Sequence, residues 1–424
     1  MIALVGSFFL AIVLGIPISV AIGVASVLYL LLYGSVSLAV IAQQMTIGID
    51  SFPLLAIPLF LLAGLLMSEA NITERIIGFA NALVGRIAGG LAMVMVISCM
   101  FFGAISGSGV ADVTAIGSLM LPAMDQQGYK KGLSCSLLGC AGSLGTVIPP
   151  SIVMIILGVT TGTSIGKLYL GGFIPGVFTG LCLMGLAWVY AKRMHLPPGD
   201  PFSMRNVVTS FRQAFLSLLT PVIIIGGIVS GVFTATEAAA AASAYALLLG
   251  LCVYRTLTLR QLPSIFLRVA ETTGIILFII SAAALFGWIL AAEQIPQKMA
   301  EVFLAITKDY YALLLLINVL LLILGTFMET IAIIIIVVPV LMPLVTSLGM
   351  DPVHFGVMVT VNMAIGANTP PVGVDLIAAC KVGQSTLDEA MPYIWPFVGA
   401  MTVALAFVTF IPQIVTLLPN MFMK

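Results

Sequence analysis

Apolar stretches alternate with short polar breaks along the whole chain, and a membrane-spanning helix needs about 20 apolar residues. The stretch 1–34 is too long for one ordinary span, and Gly15-Ile16-Pro17 divides it into two short helices. A third span runs over about 51–69, and residues 70–88, with Glu74, Arg75 and Arg86, read as an amphipathic helix along the interface. The run 90–122 is interrupted at Ser106-Gly107-Ser108-Gly109, the run 132–163 is broken at Gly145–Pro150, and a span near 168–191 follows. Lys192 to about Phe215 is the longest polar segment, with Pro197-Pro198-Gly199-Asp200-Pro201 near its start, and reads as a linker. The second half repeats the plan. Spans near 216–234 and 237–254 precede a basic loop, a span over 271–294 and an amphipathic piece over 297–308. Then come the run 310–347, interrupted at Gly325–Thr330, the broken stretch 352–382 and a last span near 389–415.

The two halves share their punctuation. Gly145-Thr-Val-Ile-Pro149-Pro150 and Gly366-Ala-Asn-Thr-Pro370-Pro371 lie 221 residues apart, and at that offset Pro122 falls on Pro343, Gly128 on Gly349 and Pro175 on Pro396. Only 22 residues of 424 are proline, so chance is a poor account of this register. The expectation is a duplication, with a first repeat over 1–191, a linker over 192–215 and a second repeat over 216–424. Helix breaks in corresponding positions of two halves point to a transporter's binding site.

Composition agrees with the pattern. Hydrophobic residues make up 61% and charged residues 8%, against roughly 25% charged in a soluble domain. The fold class expected is an all-α polytopic membrane protein; continuous apolar runs exclude the short alternating segments of a β-barrel. The 16 basic and 16 acidic residues balance, so nothing points to nucleic acid. The six cysteines lie inside apolar runs without CxxC spacing and read as packing residues, and His195 and His354 read as helix-end residues. Met1 leads straight into an apolar run without a basic n-region, so no removable signal peptide is expected.

Charge also predicts topology. If the two interrupted runs are re-entrant hairpins, each half crosses the membrane an odd number of times and the halves have opposite orientation. With the linker in the cytoplasm, twelve basic residues lie inside (among them Arg75, Arg86, Arg205, Arg212, Arg255 and Arg260), and only Lys167, Lys298, Lys308 and Lys424 lie outside. That bias follows the positive-inside rule.

The breaks carry the candidate chemistry. Irregular backbone at membrane depth is tolerated where it is buried in protein or lines a polar cavity. Carbonyls before a break and hydroxyls at a tip coordinate a hard cation such as Na+, while a restarted helix favours an anion. One tip and one break make one cation site, and the duplication makes two. The competing reading, small residues for close helix contact, accounts less well for four breaks in two matched pairs. The intramembrane acids Asp112, Glu329 and Asp375 are candidate ion or substrate contacts, with capping an alternative for Asp375. Glu237, after Thr234-Ala235-Thr236, reads as a helix-capping residue. Walker A, HExxH and metal-cluster patterns are absent, and Gly162-Thr-Ser164-Ile-Gly166 lacks the strand-turn-helix setting of a nucleophile elbow. A transporter is expected and an enzyme is not.

Gly103-Ala-Ile-Ser-Gly-Ser-Gly109, Ile148-Pro-Pro-Ser151, Pro221–Gly231 followed by Thr236-Glu-Ala-Ala239, Asp351–Gly356 and Thr369-Pro-Pro-Val-Gly373 resemble the large membrane subunit of tripartite ATP-independent periplasmic (TRAP) transporters. The resemblance covers essentially the whole chain; Ala235 stands where the family often has proline. It implies an inverted-repeat, elevator-type secondary transporter of the bacterial inner membrane. It also implies Na+ coupling, a small partner membrane subunit and a periplasmic binding protein that delivers an organic acid, such as a C4-dicarboxylate, sialic acid or another sugar or keto acid. Carried over, the first Na+ site involves Ser106, Gly107, Ser108, Gly145, Thr146 and Pro149. The second involves Gly325, Thr326, Gly366, Asn368 and Thr369. The alternative is a proton-coupled or binding-protein-independent organic anion transporter of related fold, with Glu329 or Asp112 as proton carrier.

Overall fold

A computed structural model describes residues 2–33, 37, 39–197 and 202–423. Among these the chain is built of helices and irregular segments. The first half comprises α1 (Ile2–Val13), α2 (Ile18–Tyr33), α3 (Ala39–Ile49), α4 (Ala56–Glu69), α5 (Ile72–Val84), α6 (Gly90–Ser106), α7 (Gly109–Gln126), α8 (Lys131–Gly142), α9 (Ile152–Thr161) and α10 (Ile165–Arg193). The second comprises α11 (Met204–Val229), α12 (Ala235–Leu248), α13 (Leu262–Ala292), α14 (Ile295–Ile306), α15 (Tyr310–Gly325), α16 (Thr330–Ile336), α17 (Val338–Ser347), α18 (Pro352–Gly366), α19 (Val374–Val382), α20 (Leu387–Phe410) and α21 (Gln413–Phe422). Among the described residues six stretches are long and apolar enough to cross a membrane, and α16 with α17, bent by 53°, is either a broken span or a re-entrant pair.

Element boundaries follow the proline register. Shifted by 221 residues, α7 covers 330–347, which is α16 plus α17, and α8 starts at Pro352, the first residue of α18. Two register pairs of prolines sit inside helices: Pro122 in α7 with Pro343 in α17, and Pro175 in α10 with Pro396 in α20. The expected division of 1–34 falls between α1 and α2, with Gly15 at φ +77°.

Two expectations change. Helix α3 lies in a segment assigned no element from sequence; its Met45 carbonyl accepts the Ser281 hydroxyl of α13 at 2.8 Å. The polar stretch expected as a linker over 192–215 is helical from Met204 onward, because Ser203 caps α11 by accepting from the Asn206 amide at 3.5 Å. Residues 198–201 of that linker, and Lys424 from the charge count, lie outside the described residues.

Polar side chains tie the halves together through backbone groups. The alanine-rich face of α12 lets it approach α4 closely. Ser243 donates to the Leu59 carbonyl at 2.6 Å and Thr236 to the Phe52 carbonyl at 3.3 Å. Beyond the end of α12, Thr256 donates to the Ala70 carbonyl at 3.1 Å. Tyr29 of α2 donates to Glu293 at 2.8 Å, just beyond α13. At the start of α12, Thr234 and Glu237 form a reciprocal capping box. Ser164 likewise caps α10, so the Gly162–Gly166 motif is a turn.

Candidate functional site

Two helical pairs and two interrupted helices build the site. Helices α6 and α7 meet at the tip Gly107-Ser108, and α15 and α16 meet at residues 326–329. Helix α8 stops at Gly142, passes through a 3-10 turn over Ser143–Thr146 and restarts as α9 at Ile152. Helix α18 stops at Gly366 and restarts as α19 at Val374. Pro149-Pro150 and Pro370-Pro371 are both cis.

Each tip is fastened to the break of its own half. The Ile152 amide donates to the Gly107 carbonyl at 3.2 Å, and the Val372 amide donates to the Thr326 carbonyl at 3.2 Å. Gly107 has φ +65°, and a Cβ there would stand 2.7 Å from the Pro150 carbonyl oxygen; conformation and space both require glycine. In the second half a Cβ on Gly366 would stand 2.8 Å from the Gly325 Cα. In the first half Gly103 and Gly145 meet in the same way, at 2.7 Å from a Gly103 Cβ to the Gly145 Cα. That first contact lies one residue out of the 221-residue register, which places Gly325 on Ala104.

The first break is closed by its own hydroxyls. Ser151 donates to the Thr146 carbonyl at 2.5 Å and accepts from the Met154 amide at 3.3 Å, capping α9. Thr146 donates to the Ser143 carbonyl at 2.7 Å. Ser106 donates to one oxygen of Asp112. Asp112 is fully buried, and its other oxygen, Oδ2, has no hydrogen-bond partner among the described residues. That oxygen faces Gly103 and Gly145.

A cavity of about 210 Å3 lies where the tips and breaks converge, lined in part by Gly107, Ser108, Thr146, Gly325, Glu329 and Asp375. Its opposite wall comes from Ile18, Leu61, Thr272 and Ile276 of α2, α4 and α13. Glu329 and Asp375 are the titratable residues of the lining, and among the described residues no Lys, Arg or His contributes.

Several expected site residues point elsewhere. The Thr326 hydroxyl returns to the Ile323 carbonyl at 2.8 Å, and the Thr369 hydroxyl to the Ile365 carbonyl at 2.8 Å. Ser106, Gly145, Pro149, Thr326, Gly366, Asn368 and Thr369 lie outside the lining of the cavity. Asn368 turns to the other half: a Cβ on Gly139 of α8 would stand 2.7 Å from its Oδ1, which has no partner. Asp375 also faces the first half, where a Cβ on Gly109 would stand 2.7 Å from its Oδ2. Gly373, at φ +54°, occupies the N-cap of α19, so Asp375 sits one position inside that helix instead of capping it. No cluster of three His, Cys, Asp or Glu residues occurs among the described residues, and oxygen donors from backbone and hydroxyls dominate.

The family model for the DctM component of tripartite ATP-independent periplasmic transporters matches residues 5–414. The sialic acid TRAP transporter large permease SiaM of Vibrio cholerae is 42% identical over 409 residues, covering 96% of each chain. The C4-dicarboxylate large permease DctM of Pseudomonas aeruginosa is 41% identical over 400 residues, covering 94% of each. The isethionate permease DctMQ of Oleidesulfovibrio alaskensis is 41% identical over 414 residues, which are 97% of this chain and 65% of that longer protein. The crystal structure of the Alcanivorax borkumensis YdaH transporter superposes with a TM-score of 0.54 at 14% identity, over 82% of this chain and 85% of that one. The three sequence relatives are named as TRAP transporter permeases. With the match running nearly end to end, through both tips and both breaks, this chain belongs to the DctM family, the large permease component of TRAP transporters.

Proposed function

We propose that this chain imports an organic acid across the bacterial inner membrane by Na+-coupled secondary transport. The observation that carries the reading is the acidic lining of the cavity: Glu329 and Asp375 line it, and among the described residues no basic residue does. An organic anion entering such a wall needs cations to accompany it, since burying unpaired charge is costly. Hard cations take oxygen ligands. The tip and break backbones supply them: Ser106, Gly107, Ser108, Gly145, Thr146 and Pro149 on one side, and Gly325, Thr326, Gly366, Asn368 and Thr369 on the other. Thr326, Asn368 and Thr369 contribute through carbonyls, because their side chains are engaged or turned away. Sodium is here a co-substrate.

The related permeases named for isethionate, sialic acid and C4-dicarboxylates all handle organic acids, which supports the substrate class without choosing a member. Family membership supports a small membrane subunit and a periplasmic binding protein as partners. The proline register and the charge bias support inverted repeats over 1–191 and 216–424. The cavity, walled by α2, α4 and α13 on one face and by tips and breaks on the other, suits an elevator in which the second group slides along the first.

Uptake into proteoliposomes, with and without the binding protein, tests the proposal. Accumulation should follow an inward Na+ gradient. Uptake that persists when choline replaces Na+ at constant pH overturns Na+ coupling, and uptake driven by a pH gradient alone favours the proton-coupled alternative.

A further inference from the structure

A groove between α5 and the start of α11 takes no part in the site described above. It encloses about 170 Å3, and its polar lining comprises Asn81, Arg86, Ser203, Asn206, Thr209 and Ser210. All six carry N–H or O–H groups, and among the described residues no carboxylate lines the groove. Arg86 forms no ion pair among the described residues; its guanidinium lies over the Phe202 ring, 5.1 Å from the centroid. Thr209 donates to the Arg205 carbonyl at 2.8 Å. That leaves Asn81, Ser203, Asn206 and Ser210 around the Arg86 guanidinium as the donors of the groove, and such a set matches the oxygens of a phosphate.

The surroundings specify the source of that phosphate. Leu83, Met204, Val208 and Phe211, each adjacent in sequence to a lining residue, are exposed and give the groove an apolar flank suited to acyl chains. The charge count places Arg75, Arg86, Arg205 and Arg212 on the cytoplasmic side, where anionic lipid headgroups concentrate. We propose that this groove binds the phosphate headgroup of an anionic membrane lipid. Helix α5 joins α4 to α6 and touches both as well as α11. A bound lipid therefore fastens the connection into the first tip pair to α11.

The test uses the full chain in phosphatidylcholine nanodiscs with a rising fraction of phosphatidylglycerol, read by the thermal unfolding midpoint. Stabilisation should saturate at a low phosphatidylglycerol fraction. Arg86→Ala should raise the fraction needed by about fivefold, the weight of one basic residue at a charged surface. Ser210→Leu, which fills the groove without changing charge, should act likewise. Arg260→Ala, in the loop before α13, should leave the titration unchanged. An equal effect of Arg260→Ala means general surface attraction and overturns the site. Full stabilisation by inorganic phosphate alone overturns the lipid assignment. If Arg86→Ala fails to fold in any lipid, Ser210→Leu decides, and parent-like behaviour there overturns the proposal.

Discussion

The unpartnered carboxyl oxygen of Asp112 rests against Gly145, so a helix of the first tip pair and the first break meet at a buried acidic side chain. Ser106 holds the other oxygen. Asp112→Asn keeps that bond and the shape while removing the ionisable oxygen. We expect the Na+ concentration needed for half-maximal thermal stabilisation to rise about tenfold, on the order of one charge-assisted contact. Asp112→Ala should also lower the unfolding midpoint without Na+, because it leaves a gap and an unpaired Ser106 hydroxyl. Differential scanning fluorimetry across a Na+ series separates the two effects.

The glycine contacts leave no space for side chains. Gly366→Ala puts a Cβ 2.8 Å from the Gly325 Cα, which is backbone and cannot swing aside. Overpacking of this kind costs about 1–3 kcal/mol. Uptake should fall at least about tenfold while the protein still inserts, as judged by expression and by monodispersity after solubilisation.

Side chains at the tips differ in what they contribute. Ser108 lines the cavity, and Ser108→Leu should abolish uptake in folded protein. Thr369→Val and Thr326→Val remove hydroxyls that return to their own helices. Both should keep apparent Na+ affinity within about twofold of the parent, since such local bonds are worth roughly 0.5–1.5 kcal/mol to folding. A large loss of Na+ affinity in Thr369→Val would mean that its hydroxyl rotates onto the ion.

Far from the cavity, Thr234→Ala dissolves the capping box of α12. The expected cost is about 1 kcal/mol of stability. Chemical denaturation should register it, and transport at moderate temperature should not.

Much of the framework is visible in the sequence because prolines and glycines mark where helices must stop. The offset of Pro149-Pro150 to Pro370-Pro371 leads directly to the two breaks, and Ser106–Gly109 to the first tip. Helix α3 escaped because a short apolar segment has no signature of its own; its neighbour Ser281 lies 236 residues away from Met45. The start of α11 was hidden by its polar face, which resembles linker composition. The direction of Asn368 was equally illegible. Its membership in the Gly366–Pro371 motif suggests the second tip, yet its amide oxygen faces Gly139 of the other half. Only three-dimensional proximity shows which way a side chain leaves a turn.

That crossing of Asn368 to Gly139, with Asp375 lying against Gly109, makes the two proline-marked segments constrain each other. A methyl at Gly139 would meet both the Asn368 amide oxygen at 2.7 Å and the Leu376 backbone at 3.2 Å. Gly139→Ala should therefore lower the unfolding midpoint, and adding Asn368→Gly should restore only part of it, because the Leu376 contact remains. What either segment may carry at these positions is set by the other.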